Sequence, residues 1–286
     1  MKILESIFIT MRPHRMPRVA IIFLPLIFSG APLNPVYLLK ILVGFFIFCL
    51  LTGAINIIED ITRREKEKTD NIKRLMPIAS GELSVNKAEF AIGAILIGCF
   101  VASFFLGSGF GLAAMAYFFI SLAYFLFLNK LIFVDAMTTG VNSALLITAG
   151  TFAISKPISA WLMFFVFSIT LFMVFSSRMR DIIISKKIGE EPSKIYDEKN
   201  LEQTINITAS LAVMVYSLYC LTTIDGMRYN LIYTIPFVIY GTYRTLYLIN
   251  DNITEKPLER LLTKDVLFVG NLAVWVVLTS ILLAVF

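Results

Sequence analysis

Long stretches without charge alternate with short polar breaks along almost the whole chain. Apolar runs lie near residues 19–34, 37–58, 88–106, 110–128, 131–153, 158–177, 204–223, 229–249 and 266–286. Most come close to the ~20 residues a helix needs to cross ~30 Å of hydrocarbon. The pattern predicts an all-α membrane protein, a bundle of about nine transmembrane helices forming a single domain over residues 1–286. Pro25 interrupts the first run, which is short, and Pro32 to Pro35, Gly107 to Gly111, and Lys156 with Pro157 mark brief hairpins.

Composition agrees with this reading. Hydrophobic residues make up 58% of the 286 positions, and the mean hydropathy is +0.81. A soluble domain of this size would need far more polar surface. The first eighteen residues carry Lys2, Arg12, Arg15 and Arg18 with Pro13 and Pro17, which is not the pattern of a cleavable signal peptide. Ile3, Leu4, Ile7, Phe8 and Met11 recur at helical spacing there. Either an amphipathic helix lying in the interface or a frayed basic terminus accounts for them. Cys49, Cys99 and Cys220 each sit inside an apolar run without a C-x-x-C partner, and His14 is the one histidine. That excludes a thiolate or imidazole metal centre and assigns the cysteines to packing.

The net charge of +5 acquires meaning when mapped. One set of loops carries Arg63, Arg64, Lys66, Lys68, Lys73, Arg74 and Lys87, then Lys130, then Arg178, Arg180, Lys186, Lys187, Lys194 and Lys199, then Lys256, Arg260 and Lys264. The opposite set has only Lys156 and Arg228, with Lys40 just inside a span. By the positive-inside rule, the N-terminus and the charged loops are expected in the cytoplasm, with the protein in the cell membrane. No nucleic-acid partner is implied; membrane lipids are. Basic loops of this kind can do no more than orient insertion and touch anionic headgroups. Orientation alone does not explain why carboxylates gather in the same two long loops.

The first of these follows the second span. Asn56 and Asp60 are four residues apart and share a helix face, with Glu59 beside them. Polar groups at the end of an apolar helix are costly unless they face a wet cavity or a partner. Asn and carboxylate oxygens are hard ligands suited to Mg²⁺, which binds through one or two carboxylates plus phosphate oxygens. Lys73 and Arg74 are placed to meet the remaining phosphate charge. The competing reading is a solvated helix end with Asp60–Arg64 and Glu59–Arg63 pairs. In the second loop, after the sixth span, Asp181 lies between Arg178 and Ser185 at helical spacings, followed by Gly189, Glu190 and Glu191. Two such loops on one membrane face suit a shared phosphate–metal site, with a lipid tail lodged among apolar helices.

These residues resemble the UbiA superfamily of intramembrane prenyltransferases. The first motif of that superfamily has the form N-D-x-x-D-x-x-x-D, then a basic stretch and a P-[IL]-x-[AS]-G closure. Asn56, Asp60, Lys73, Arg74, Pro77, Ile78, Ser80 and Gly81 match it. Within the superfamily the likeness leans to the polyprenyl-phosphate phosphoribosyltransferase branch. It is carried by RPHRMPR and FLPLIFSGAPL near the start, then NKLIFVDAMTTG, TAGTFAI with ISAWL, and SSRMRDI. Near the end it is carried by PFVIYGTYRTLYL with EKPLERLLTKD. The departures are specific. Ile57 stands in place of the first Asp and Arg64 in place of the third, Met16 replaces an early Trp, and Ser177 replaces a Lys before Arg178. Leu146 stands where the branch often has Arg, and Asp181 stands for its Glu. Glu67 or Asp70 could supply the missing carboxylate from a shifted position.

The resemblance implies a UbiA-like helical domain and a Mg²⁺-dependent transferase. A polyprenyl phosphate or diphosphate lipid and a second small-molecule substrate would be its partners. Asp60, Asp181 and Arg178 would be catalytic, and Asn56, Glu59, Asp60, Glu67 and Asp181 would hold the metal. Asn56, Lys73, Arg74, Asp135, Tyr240 and Arg244 would bind substrate. The subtype it favours is phosphoribosyl transfer from phosphoribosyl diphosphate to polyprenyl phosphate. Prenyl transfer to an aromatic or glycerol-phosphate acceptor is the alternative, and a non-catalytic transporter or lipid-binding relative is the other class. From the residues alone, Asp135 either lines a cavity or pairs with Lys130, and Arg244 is either a phosphate ligand or a snorkelling anchor.

Overall fold

A computed structural model describes residues 2–28, 34–67, 76–187, 196–222, 229–250 and 256–285. Among these residues every regular element is helical. Seven helices are long and apolar enough to cross a membrane: α3 (Pro35–Glu67), α4 (Val85–Leu106), α5 (Ser108–Leu126), α6 (Val134–Ile154), α7 (Ala160–Lys187), α8 (Glu198–Leu221) and α11 (Val266–Val285). The other two apolar runs form shorter pieces. Residues 19–34 contribute the end of a 3₁₀ segment, Pro13–Phe23, and the short helix α2 (Leu24–Phe28). Residues 229–249 begin as a 3₁₀ turn, Tyr229–Thr234, and continue as α9 (Ile235–Ile249) with Pro236 in its first turn. Proline explains both breaks, since it removes a backbone donor and suits only the first turn of an α-helix. The described residues also form two short helices, α1 (Lys2–Thr10) and α10 (Leu258–Lys264), and a 3₁₀ turn, Leu128–Lys130.

The chain divides into two compact units. The first comprises residues 1–25, 34–126 and 145–156. Here α1 is helical, as the apolar spacing allowed, with Ser6 and Thr10 buried and Phe8 and Ile9 exposed. The P-I-A-S-G closure forms a tight turn. Leu83 N donates to Pro77 O at 2.8 Å, Ser80 N donates to Met76 O at 2.9 Å, and Gly81 takes φ +84°, where a side chain would be strained. That turn buries Ile78 in a cluster with Met11, Ile57, Leu83 and Ala88. Further along α3, Phe48 meets Tyr117 of α5 edge-on at 5.0 Å, and the Tyr117 hydroxyl lies 3.0 Å from Thr52 Oγ1.

The second unit comprises residues 26–33, 127–144 and 157–286. Its core runs along α7 and α8 and continues into α9 and α10 through Leu171, Phe172, Phe175, Leu201, Ile205, Leu248 and Leu258. Three polar side chains in this unit are bonded to one another: Tyr216 and Thr234 hydroxyls lie 2.6 Å apart, and Trp275 Nε1 donates to Tyr216 Oη at 3.0 Å. In each unit at least one helix leaves large apolar side chains uncovered. On α4, Phe90, Ile97 and Phe105 are exposed, and on α11, Val266, Leu267 and Val277. Contiguous exposed surface of this kind is unfavourable in water and ordinary against lipid. The three cysteines are buried and free, as the sequence implied.

Candidate functional site

Each unit holds carboxylate and guanidinium groups in contact. In the first unit they gather at the C-terminal end of α3. Asn56, Glu59 and Asp60 lie on one side of the helix, as their spacing requires, and Asp60 is fully buried. A carboxylate with no water contact needs a cation, and here it is Arg12. Arg12 Nη2 donates to Asp60 Oδ1 at 2.6 Å, and Nη1 lies 3.8 Å from Glu59 Oε2. Glu59 also accepts from Arg63 Nη1 at 2.8 Å, the i,i+4 pair read from the sequence. Arg63 in turn lies over the Phe125 ring, 5.2 Å from its centroid.

Arg12 reaches Asp60 because the chain reverses at the end of α1. Its backbone is left-handed, φ 53°, and Pro13 starts the 3₁₀ segment directly after it. Asn56 fastens this reversal by donating Nδ2 to Met11 O at 2.9 Å, which leaves its amide oxygen as an acceptor. Gly53, one turn earlier on α3, gives Met11 room, since a Cβ at that position would collide with the Met11 side chain. Ser6 Oγ completes the attachment with a 3.1 Å bond to Glu82 beside the P-I-A-S-G turn. Ile57, which stands where the motif has its first Asp, is buried against Met11 and Ile78 and serves packing.

The second unit's cluster centres on Asp135 in the first turn of α6, only 2% exposed. Its carboxylate caps the helix by accepting from Ala136 N at 2.7 Å, takes a short bond from the Tyr196 hydroxyl, and accepts from Arg178 Nη2 at 3.1 Å. The ion-pair partner that the structure gives Asp135 is Arg178. Tyr196 Oη also accepts from Phe133 N at 3.0 Å, where the backbone is again left-handed at φ 64°. Burial, and after it the hydrogen bond to Asp135, push the Tyr196 phenol well above its ordinary range. Phe133, Phe175 and Tyr196 pack edge-on around the cluster. The Arg178 side chain is 38% exposed, and Asp181 is exposed one turn later.

Arg180 differs sharply from its neighbour. Two residues along a helix point to different sides, and Arg180 is fully buried, donating Nη1 to Ile249 O at 3.1 Å and Nε to Lys256 O at 3.2 Å. It satisfies the last carbonyl of α9 and ties down the approach to α10. Arg244 pairs bidentately with Asp265 at 3.1 and 2.6 Å and lies 5.0 Å from the Tyr247 ring centroid. That bond is the main reason the Asp265 carboxyl sits below its usual range. Tyr240 is exposed one turn before Arg244. Lys73 and Arg74 lie outside the described residues, as does the side chain of Glu67, the last residue of α3. Sequence reasoning assigned no roles to Arg12, Arg180, Tyr196 and Asp265. The R-P pair at residues 12–13 was the one available signal, because a proline there marks a helix end.

The fit to Mg²⁺ can be judged from the donors. Among the described residues, no three His, Cys, Asp or Glu side chains are grouped as a metal site. Asn56 supplies a third oxygen beside Glu59 and Asp60, an all-oxygen set of the kind a hard cation takes, with remaining positions left for water and phosphate.

Seven described helices of this length and hydropathy define an integral membrane protein. The sequence profile of the UbiA prenyltransferase family matches residues 19–272, across both units, and the chain belongs to that family. A decaprenyl-phosphate phosphoribosyltransferase from Mycolicibacterium smegmatis is 25% identical over 250 residues, covering 83% of this chain and 78% of the relative. The Mycobacterium tuberculosis protein of the same name is 25% identical over 207 residues, 70% of this chain and 68% of the relative. Among solved structures, a UbiA homologue from Archaeoglobus fulgidus bound to DMAPP and Mg²⁺ superimposes with a TM-score of 0.72 at 14% identity, covering 96% of this chain and 99% of that one. A digeranylgeranylglyceryl phosphate synthase gives 0.66 at 16% identity over the full length of both. At these identities the structures establish a shared fold.

Proposed function

We propose that this transferase moves a phosphoribosyl group from phosphoribosyl diphosphate to a polyprenyl phosphate at the cytoplasmic face of the cell membrane. The observation that carries the subtype is the long colinear match to proteins named decaprenyl-phosphate phosphoribosyltransferase. In the reaction an oxygen of the lipid phosphate attacks C1 of the ribose, and the C1–O bond to diphosphate breaks with its electron pair leaving on diphosphate. Mg²⁺ held through Asn56, Glu59 and Asp60, with Glu67 as a further ligand, would supply positive charge to the leaving group, and Asp181 is the metal ligand proposed for the second unit. Arg178, steadied by Asp135, is the cation of the second cluster proposed to bind phosphate, since a guanidinium suits that anion. Lys73 and Arg74 add charge to the first loop, and Tyr240 and Arg244 are the proposed contacts on α9. The polyprenyl tail would lie against apolar helix surface in the membrane.

The test incubates purified protein with Mg²⁺, a polyprenyl phosphate and phosphoribosyl diphosphate, and reads lipid-linked phosphoribose. Asp60→Ala and Asp181→Ala should each abolish or strongly reduce that product. If the product is absent while a polyprenyl diphosphate is turned over with an aromatic or glycerol-phosphate acceptor, the chain is an ordinary prenyltransferase. That second reading is supported by the fold shared with the DMAPP-bound homologue. If both alanine variants retain full activity, the proposed use of these carboxylates is wrong.

A further inference from the structure

The first cluster carries its own cation. Arg12 is 7% exposed, its guanidinium contacts both Asp60 and Glu59, and Arg63 takes the other oxygen of Glu59. Two carboxylates therefore already face two guanidinium groups. In a low-dielectric pocket Asp60 stays charged only beside a positive group, and a guanidinium and a divalent cation compete for the same oxygens. The backbone also commits Arg12 to this contact. Its left-handed φ of 53° is one that L-residues seldom hold, and it is kept by the Met11 N–Ile7 O and Arg12 N–Ile9 O bonds together with the Asn56 clamp on Met11 O.

We propose that Arg12 is a resident counter-ion that competes with the divalent cation for Asp60 and Glu59. This inference rests on the metal reading of Asn56, Glu59 and Asp60 given above. Without substrate, the guanidinium occupies the carboxylates and free metal binds poorly. A diphosphate offers the guanidinium another anion, so metal and diphosphate enter together: the carboxylates pass to the metal and Arg12 passes to phosphate oxygens. Ile57 and Arg64, standing where the family motif has carboxylates, act in the same direction, since a cluster with fewer negative charges holds a lone divalent cation less well. Arg12 is thus a positioning residue that sets when the site accepts its metal.

The test titrates the full-length protein in nanodiscs with Mn²⁺ alone, followed by electron paramagnetic resonance, with the Mn²⁺-induced rise in Tm as a second readout. Arg12→Gln should bind Mn²⁺ roughly tenfold or more tightly than wild type and show the larger rise in Tm. Adding Asp60→Asn to that variant should abolish the gain. Arg12→Lys keeps a charge but presents a compact ammonium in place of the two-pronged fork. It should fall between wild type and Arg12→Gln, and it serves as the test if the glutamine variant does not fold. Equal or weaker Mn²⁺ binding in the Arg12 variants, with binding still lost on Asp60→Asn, overturns the competition while leaving the metal reading intact. No Asp60-dependent Mn²⁺ binding in any of these proteins overturns both.

Discussion

Replacing Asp135 by Asn removes one negative charge and turns one hydrogen-bond acceptor into a donor, at a position where three donors converge. The carboxylate accepts from Ala136 N at 2.7 Å, from Arg178 Nη2 at 3.1 Å and from the Tyr196 hydroxyl. An amide can satisfy at most two of these with its single oxygen, and its NH₂ then faces a donor. A charge-assisted bond from a half-buried phenol contributes about 1.5–3 kcal/mol. The Arg178 bond contributes less, about 1 kcal/mol or below, because the side chain is 38% exposed and water screens it. The variant should therefore lose about 2–4 kcal/mol of stability, read as a fall in Tm in detergent. Its kcat/KM should also fall by roughly tenfold, equivalent to about 1.4 kcal/mol, because Arg178 is no longer held in one orientation. Tyr196→Phe separates the two effects, since it removes the phenol bond and leaves the Asp135–Arg178 pair, so its Tm should fall while kcat/KM stays near wild type. A stable Asp135→Asn protein with unchanged kcat/KM would refute the argument that Asp135 orients Arg178.

Three further outcomes follow from the same contacts. Arg180→Met should cost about 2–5 kcal/mol, because it strips partners from the Ile249 and Lys256 carbonyls, whereas Arg178→Met should cost much less; chemical unfolding of both variants checks the contrast. Gly53→Val should destabilise by about 1–3 kcal/mol by overpacking against Met11, with faster amide exchange along α1 as the local signature. The Arg244–Asp265 pair should make Tm pH-dependent in acid. The Asp265 carboxyl lies below its ordinary range when folded, so its contribution is fully present above about pH 4–5 and is lost as pH falls through the depressed folded value. Over that acid range wild type should lose Tm more steeply than Asp265→Asn, and parallel profiles would show that the pair contributes nothing.

Local spacing made part of the site legible. Asn56, Glu59 and Asp60 stand together because three- and four-residue separations share a helix face in any context, and the Glu59–Arg63 pair follows from the same rule. The P-I-A-S-G segment is legible as the closure of the motif, and its turn follows from a proline that fixes φ and a glycine free to take φ +84°. The partner of Asp60, by contrast, comes from 48 residues away. That contact depends on the left-handed turn at Arg12, the amide clamp from Asn56 and the space at Gly53, none of which has a sequence periodicity. The same holds for Asp135, whose partners Arg178 and Tyr196 are 43 and 61 residues distant.

What the chain determines by itself is where it can be helical, which stretches can lie in lipid, and which face of the membrane its cations favour. Those properties depend on hydrophobicity summed over about 20 residues and on charge counts. Family membership is legible for a similar reason, as colinear motifs survive in the order of the residues. Only the tertiary structure decided how the charges pair. Arg178 and Arg180 are equivalent in composition, yet one is partly exposed and paired with Asp135 while the other is buried on the carbonyls of Ile249 and Lys256. Ile57 and Asp60 lie one helical turn apart on α3, yet one packs against Met11 and Ile78 and the other faces Arg12. In both pairs the choice follows from which distant segment arrives to cover that side of the helix. Burial sets the electrostatic cost of a charge, so it is the arriving segment that assigns each residue its chemistry.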